Sequence, residues 1–428
     1  MGEAFAFDRL RTAAWVESSG PAGALRVYRL HPYERVPADA DAVLGRAVLA
    51  ADALARSVGP DGRIRYRFDV AAGRPGSGYN LLRHAGSTYA LVEAWARVDE
   101  PAWRDAAARA LGYLLAHTKV DERSGPHGGG RTRWVDEGRH VKLGGAGLAL
   151  LALAEWQRAT GDRSHEAAAR ELATYLVSQQ QESGEFVYFA SKEPGGEARD
   201  DTSDYYPGEA VVALARWYDQ DPDPRWRDAA VRGADWLIDV RDAGTPPRRL
   251  NNDHWLSMGL RALFRQTRDA RYADHALRIA RAVQAQAERH RGHEAFHRDY
   301  LGGYYEPPRS TPAATRAEAL VAILELGVPP QDEAELRALL LVTVQHVLQC
   351  QYVPDTLWWV PAPEEVVGSV ATASSTRTCA TTTQHRALRD ARHRAPAAGR
   401  GPAAAAPGGR GPGRDRRRGV VDRDGASL

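Results

Sequence analysis

The chain has 428 residues, with 57 basic and 55 acidic side chains and a formal net charge of +2, so it carries no overall field for nucleic acid or an anionic membrane. A hydrophobic fraction of 43% suffices for one large core, and two cysteines, Cys350 and Cys379, exclude a disulfide framework or a cysteine-rich zinc site. Met1 to Glu17 carries Asp8, Arg9 and Arg11 where a secretory signal needs an unbroken apolar run. No stretch approaches a membrane span, so the expectation is a soluble, cytoplasmic protein with no membrane partner.

Residues 1–37 form a mixed preface in which Ala24 to Leu30 alternates like a short strand. From Ala38 to Ser57 the spacing of Val43, Leu44, Ala47, Val48 and Ala51 predicts a helix, stopped by the turn Gly59-Pro60-Asp61-Gly62. A strand over Arg63 to Asp69 and a Gly/Pro loop to Gly78 lead to a polar opening, Tyr79 to Gly86, and a helix over Ser87 to Val98. The same cycle then recurs. Trp103 to His117 is helical, and a loop over Ser124 to Arg139 reaches Lys142-Leu143-Gly144-Gly145 and a helix over Ala146 to Trp156. His165 to Gln180 is helical and Gly184 to Phe189 a strand. An acidic loop from Asp200 then turns at Pro207-Gly208 into a helix with Val211, Leu214, Ala215 and Tyr218 on one face. Arg225 to Val240 is helical, and Asn251 to Trp255 opens a helix through Phe264. Tyr272 to His290 follows, then Gly302 to Tyr305 and Arg309 to Pro312 lead to a helix over Ala313 to Leu326, with a last helix over Glu333 to Gln351.

The polar openings near His84, Gly144, Tyr206, His254 and Thr311 are spaced about 50 to 60 residues apart, as helical hairpins with insertions would place them. Helices rich in Ala, Gly and Leu alternate with helices bearing Arg and Glu, which suits a crowded inner ring and a half-solvated outer one. Together with Gln179-Gln180-Gln181-Glu182-Ser183-Gly184-Glu185-Phe186, a helix-ending Gln, Gly and aromatic signature, these features resemble the alpha/alpha toroids of the six-hairpin glycosidase-like superfamily over about residues 40 to 360. The resemblance implies an all-α fold, an (α/α)6 toroid with short β insertions over residues 38–368, and a substrate pocket at the mouth where the inner helices begin. It also implies a carbohydrate-active enzyme: a glycoside hydrolase, uronate lyase or epimerase acting on a small-molecule or oligosaccharide ligand.

On that reading the catalytic candidates are Asp204 and Asp253 as an acid/base pair, with His84, His254 and Tyr305 assisting proton transfer. Arg83, Lys142, Tyr206, Glu209, Trp255, Arg309, Arg316 and Glu318 are substrate-binding candidates; the arginines hold an anionic group and the aromatics stack on sugar faces. Each has a plainer structural alternative. Asp253 suits an N-cap, Asp204 and Glu209 suit the positive end of a helix, and the histidines suit hydrogen-bonded core positions. Arg309 and Arg316 can pair with Glu306 and Glu318, and Tyr304 and Tyr305 can be packing residues. No cofactor or metal is expected. His290, His293 and His297 are broken by Gly292, and Gly128-Gly129-Gly130 lacks the lysine and hydroxyl of a phosphate-binding loop. A non-catalytic ligand-binding or partner-dependent biosynthetic subunit uses the same mouth. Asp200-Asp201 and Asp219 to Asp223 do not form an isoprenoid-cyclase motif, and the zinc ligands of lanthionine cyclases are missing.

After Trp359 no aromatic residue occurs, and residues 369–428 read as a disordered or frameshifted tail of Arg, Ala, Gly and Pro. The break falls where the inner helix of a sixth hairpin is due. Back-translated with G or C at third positions and read two bases out of frame, Ala371 to Gln384 yields a stretch such as Asp-Pro-Asp/His-Val-Arg-His-Asp-Tyr, which resembles the other openings. The rival reading is a basic tail that binds nucleic acid. Resequencing the 3′ end of the gene separates them: the frameshift reading predicts a missing or added base near codon 371, and an intact frame contradicts it.

Overall fold

The computed structural model describes residues 14–17, 24–27, 38–125, 128–193, 196–199, 201–293, 300–305, 308–354, 357, 360–371 and 378–379. The expectations for the rest of the preface and for most of the tail fall outside these residues. Among the described residues, five helices line the inside: α2 (Leu81–Val98), α4 (Leu143–Thr160), α6 (Tyr206–Tyr218), α8 (His254–Thr267) and α10 (Ser310–Leu324). Each packs on the next, α2 on α4, α4 on α6, α6 on α8 and α8 on α10. Six helices alternate with them on the outside: α1 (Ala40–Arg56), α3 (Pro101–Ala116), α5 (Glu166–Ser178), α7 (Pro224–Trp236), α9 (Ala270–Arg291) and α11 (Pro330–Gln349). The chain is an (α/α)6 toroid.

The division follows from composition. Every residue of α4 from Leu143 to Gln157 is buried, because that helix carries apolar or small residues on all faces. In α1, by contrast, only Ala51 and Ala53 are fully buried. Helix starts are set by side-chain caps: Asp39, Asn80 and Asp253 accept from the amides of Ala42, Arg83 and Leu256. The outer ring closes when the segment after α11 returns to α1. There the Gln351 amide donates to Arg46 O at 2.9 Å, Arg56 donates to Val367 O at 2.5 Å, and Arg65 pairs with Glu365. No helix among the described residues is long and apolar enough to cross a membrane.

The strands are short. β1 (Ala14–Glu17) pairs with β2 (Ala24–Val27), and β3 (Phe68–Asp69) lies between β4 (Arg74–Pro75) and β9 (Thr378–Cys379). β5 (Thr118–Gly125) and β6 (Gly128–Val135) form a long hairpin where the composition reads as a loop over Ser124 to Arg139. The strand expected over Gly184 to Phe189 starts only at Phe189, as β8 (Phe189–Ser191) against β7 (His140–Lys142). The inner helices also begin earlier than expected, at Leu81, Leu143 and Ser310 and not at Ser87, Ala146 and Ala313. Gly86, Gly144 and Gly145 lower helix propensity locally, but tight packing inside the ring overrides it. Residues that read as loop motifs therefore occupy first helical turns.

Gly144 shows how tight that packing is. A Cβ there would overlap the Glu209 carboxylate and the Tyr206 ring of α6. Gly144→Ala is expected to lower stability by about 1 to 3 kcal/mol by overpacking, measured as the urea midpoint with an unchanged slope. An alanine tolerated without cost would contradict this account of the α4–α6 contact.

Candidate active site

The mouth is built where α6, α8 and α10 begin. Before α6, the Ser203 hydroxyl accepts from the amides of Tyr205 and Tyr206 at 3.3 and 3.4 Å. Ser203 thus serves the helix N-terminus, and the Asp204 carboxylate is left without a hydrogen-bond or ion-pair partner among the described residues. Half-buried, it is held above the usual carboxylate range by burial, with the Arg241 guanidinium opposing. Asn251, in the loop before α8, donates to Asp204 O at 2.8 Å and ties the two openings together.

Asp253 caps α8. Its Oδ1 accepts from Leu256 N at 3.0 Å, while Oδ2 is buried without a partner against Gly208 of α6, where a Cβ would displace it. Burial is the main cause that raises Asp253 to about 7. Arg241 and the Leu256 amide oppose that rise, and the charges of Asp204 and Asp242 add to it. The two aspartates are thus electrostatically coupled, one open and one closed off.

Arg241 comes from the outer layer. After α7 the chain makes a wide π turn over Leu237–Arg241, a distortion that often re-aims side chains at functional sites. Arg241 grips Asp242 with two hydrogen bonds of 2.8 Å, and His275 Nε2 lies 3.0 Å from the same carboxylate. Burial works to raise Asp242, but Arg241 and His275 outweigh it and bring it down to about 2. Composition offers no sign of this cluster, because the end of an outer helix reads as solvated surface.

On the α10 side, Tyr305 is 36% exposed and Arg309 lies 4.5 Å over its ring. Burial alone would raise the Tyr305 phenol; Arg316, a hydrogen bond with Gln286 and Arg309 outweigh it and hold the phenol below its ordinary value. His254 is fully buried beneath. It makes no hydrogen bond among the described residues, and its Nε2 lies 3.6 Å from a Glu318 oxygen. Burial, then the charge of Arg316, lowers it to about 3. Glu318 is enclosed by the body of the protein, and burial and then Glu93 raise it to about 8, yet 43% of its side chain is open. We read that surface as facing the hollow of the ring, not bulk solvent.

The structure brings Asp204, Asp253, His254, Tyr305, Arg309, Arg316 and Glu318 into one neighbourhood. It does not bring His84 there. The His84 ring bridges Tyr79 OH at 2.6 Å and Ala110 O of α3 at 2.8 Å, between inner and outer helices, and burial lowers it to about 4. Trp255 is 1% exposed and packs across the ring 6.1 Å from Tyr89, and Tyr206 packs on Phe189 at 5.4 Å, so neither shows a face to a sugar. Lys142 pairs with Glu137 at 3.2 Å, and Glu137 also accepts from Leu81 N at 2.7 Å, which stitches the α2 and α4 ends of the rim. Arg83 and Glu209 are buried in first helical turns. Sequence reasoning missed Arg241, Asn252 and Gln286; the last lies on the polar side of an outer helix and accepts from Asn252 at 2.8 Å and Arg316 at 3.1 Å.

The closed-off carboxyl has a thermodynamic signature. Because Asp253 holds its proton more tightly folded than unfolded, stability falls as pH rises from about 4 to about 7 and the full penalty remains above that. Glu318 adds a slope of the same sign up to about 8. Asp253→Asn keeps the cap oxygen, and is expected to flatten part of this loss, on the order of 2 to 4 kcal/mol between pH 5 and 8. Melting curves of both proteins at the two pH values check it, and identical slopes would contradict it.

No family model and no curated protein matches the sequence. Solved structures do match in fold. An unsaturated glucuronyl hydrolase specific for heparin superposes with a TM-score of 0.56 at 13% identity, covering 80% of this chain and 94% of its own. A D-mannose isomerase gives 0.54 at 12% identity, covering 74% and 87%, and the cellobiose 2-epimerase from Spirochaeta thermophila gives 0.53 at 16%, covering 78% and 90%. At these identities the likeness establishes the six-hairpin toroid, the fold these three carbohydrate-active enzymes share with this chain.

Proposed function

We propose that this protein is a carbohydrate-active enzyme that moves a proton to or from a saccharide seated at the mouth between the openings of α6, α8 and α10. Asp204 is the group that meets the substrate. The observation that carries the reading is its unpaired, half-buried carboxylate: Ser203 already serves the helix N-terminus, so folding gives no reason for an acid at 204. Buried acids without a structural task and with a raised pKa are candidates for acid/base work.

Asp253 is the positioning partner. Protonated up to about pH 7, it keeps a second negative charge away from Asp204 through the acid range, which is how neighbouring carboxyls divide into acid and base. Arg241, anchored by Asp242, steadies whichever carboxylate is ionised. Tyr305, partly exposed beside Arg309, offers a phenol that loses its proton more readily than usual. That the structural neighbours in this fold are a hydrolase, an isomerase and an epimerase acting on sugars supports the class and does not choose among the reactions.

The test is a panel of neutral and acidic oligosaccharides assayed for release, elimination and epimerisation products. Asp204→Asn is expected to lower kcat on the order of a hundredfold or more with KM little changed. Turnover that survives Asp204→Asn would remove Asp204 from the mechanism. Saccharide binding with no turnover by the unsubstituted protein would favour the non-catalytic binding subunit.

A further inference from the structure

Arg316 is an unusual cation. It is 4% exposed, and among the described residues its guanidinium bonds to neutral groups: Gln286 at 3.1 Å, Thr315 at 3.1 Å and Tyr305 OH at 3.3 Å. No carboxylate pairs with it among the described residues; Glu318, two positions along, turns to His254 instead. A buried cation without a counter-ion is costly, and the cost is relieved when an anion arrives. Arg309, stacked over Tyr305, places a second positive group close to Arg316.

The positive charge continues outward. Gln286, which accepts from Arg316, lies on α9, and Arg289 is one turn further along that face. Arg289 donates to Arg248 O at 3.3 Å, and Arg248 and Arg249 are exposed with no acidic partner among the described residues. Arginines therefore stand both around the partly buried Gln286 contact and, exposed, at the end of α9 and in the loop before α8, in a protein whose net charge is only +2. Guanidiniums at two such places match carboxylates spaced along a chain.

We propose that the substrate is an oligosaccharide with repeated uronate units. The carboxylate of the sugar at the reacting position is taken by Arg316 and Arg309, and the carboxylate of a second unit by Arg248, Arg249 and Arg289. This deepens the proposed function and rests on its placing of the substrate at this mouth.

The test measures binding, by calorimetry, to the Asp204→Asn protein, so that turnover plays no part. The probes are pectic, alginate and heparosan-type tetrasaccharides, the corresponding single uronic acids, and neutral cellotetraose. At least one uronate tetrasaccharide is expected to bind, cellotetraose is not, and affinity is expected to fall between about 50 and about 300 mM NaCl. Arg248→Ser, Arg249→Ser and Arg289→Ser combined, all at the surface, should weaken the tetrasaccharide about tenfold and leave the single uronic acid unchanged, whereas Arg309→Gln should weaken both about tenfold. Cellotetraose binding as tightly as the uronates, no uronate binding at all, or a rim variant without effect would overturn the proposal. In the unsubstituted protein, turnover of a neutral sugar would overturn it while leaving Asp204 in its role, and uronate binding without turnover there would do the reverse.

Discussion

Acids buried in the first turns of inner helices, each against a glycine of a neighbour, are the constraint on which the mouth depends. Glu209 of α6 lies against Gly144 of α4, and Asp253 at the start of α8 lies against Gly208 of α6. The missing side chains of the two glycines provide room for the carboxyl groups. Because these contacts join successive inner helices, the geometry of the ring and the placement of its polar groups are one problem. Any shift of α6 relative to α8 moves Asp253, Asp204 and the loop bond from Asn251 together.

The same crowding sorts the acids into different protonation states. Asp242, gripped by Arg241 and His275, is ionised throughout the physiological range despite burial. Asp253, a short way off with only one amide to satisfy it, stays protonated to about 7, and Glu318 to about 8. Asp204, half open, is raised by burial. Local partners, not residue type, decide which acid carries charge. The acids at and beneath the mouth therefore differ in protonation state, with Asp253 and Asp242 buried and Asp204 and Glu318 partly open.

Much of the fold was legible because it repeats. Alternating apolar and charged helices, interrupted by openings at His84, Gly144, Tyr206, His254 and Thr311, define hairpins whatever the details of each. Boundaries were less legible, since Gly144 and Gly145 read as loop where close packing makes them helix. At the site, Asp204 and Asp253 stand out as acids before buried helices, but nothing local shows that Ser203 relieves Asp204 of capping. His84 and Trp255 carry the same sequence signal as Asp204 and Asp253 and are spent on helix packing. Arg241 and Gln286 were hidden for the opposite reason: they belong to outer helices, and only a π turn and a long side chain bring them to the mouth.

The most direct measurement is a carbon NMR titration of labelled aspartate carboxyls, with Asp253→Asn to assign the Asp253 signal. A proton held to about pH 7 at Asp253 is the predicted result. A midpoint in the ordinary range of about 4 would mean that the mouth does not separate its acids, and would contradict the account of how it moves a proton.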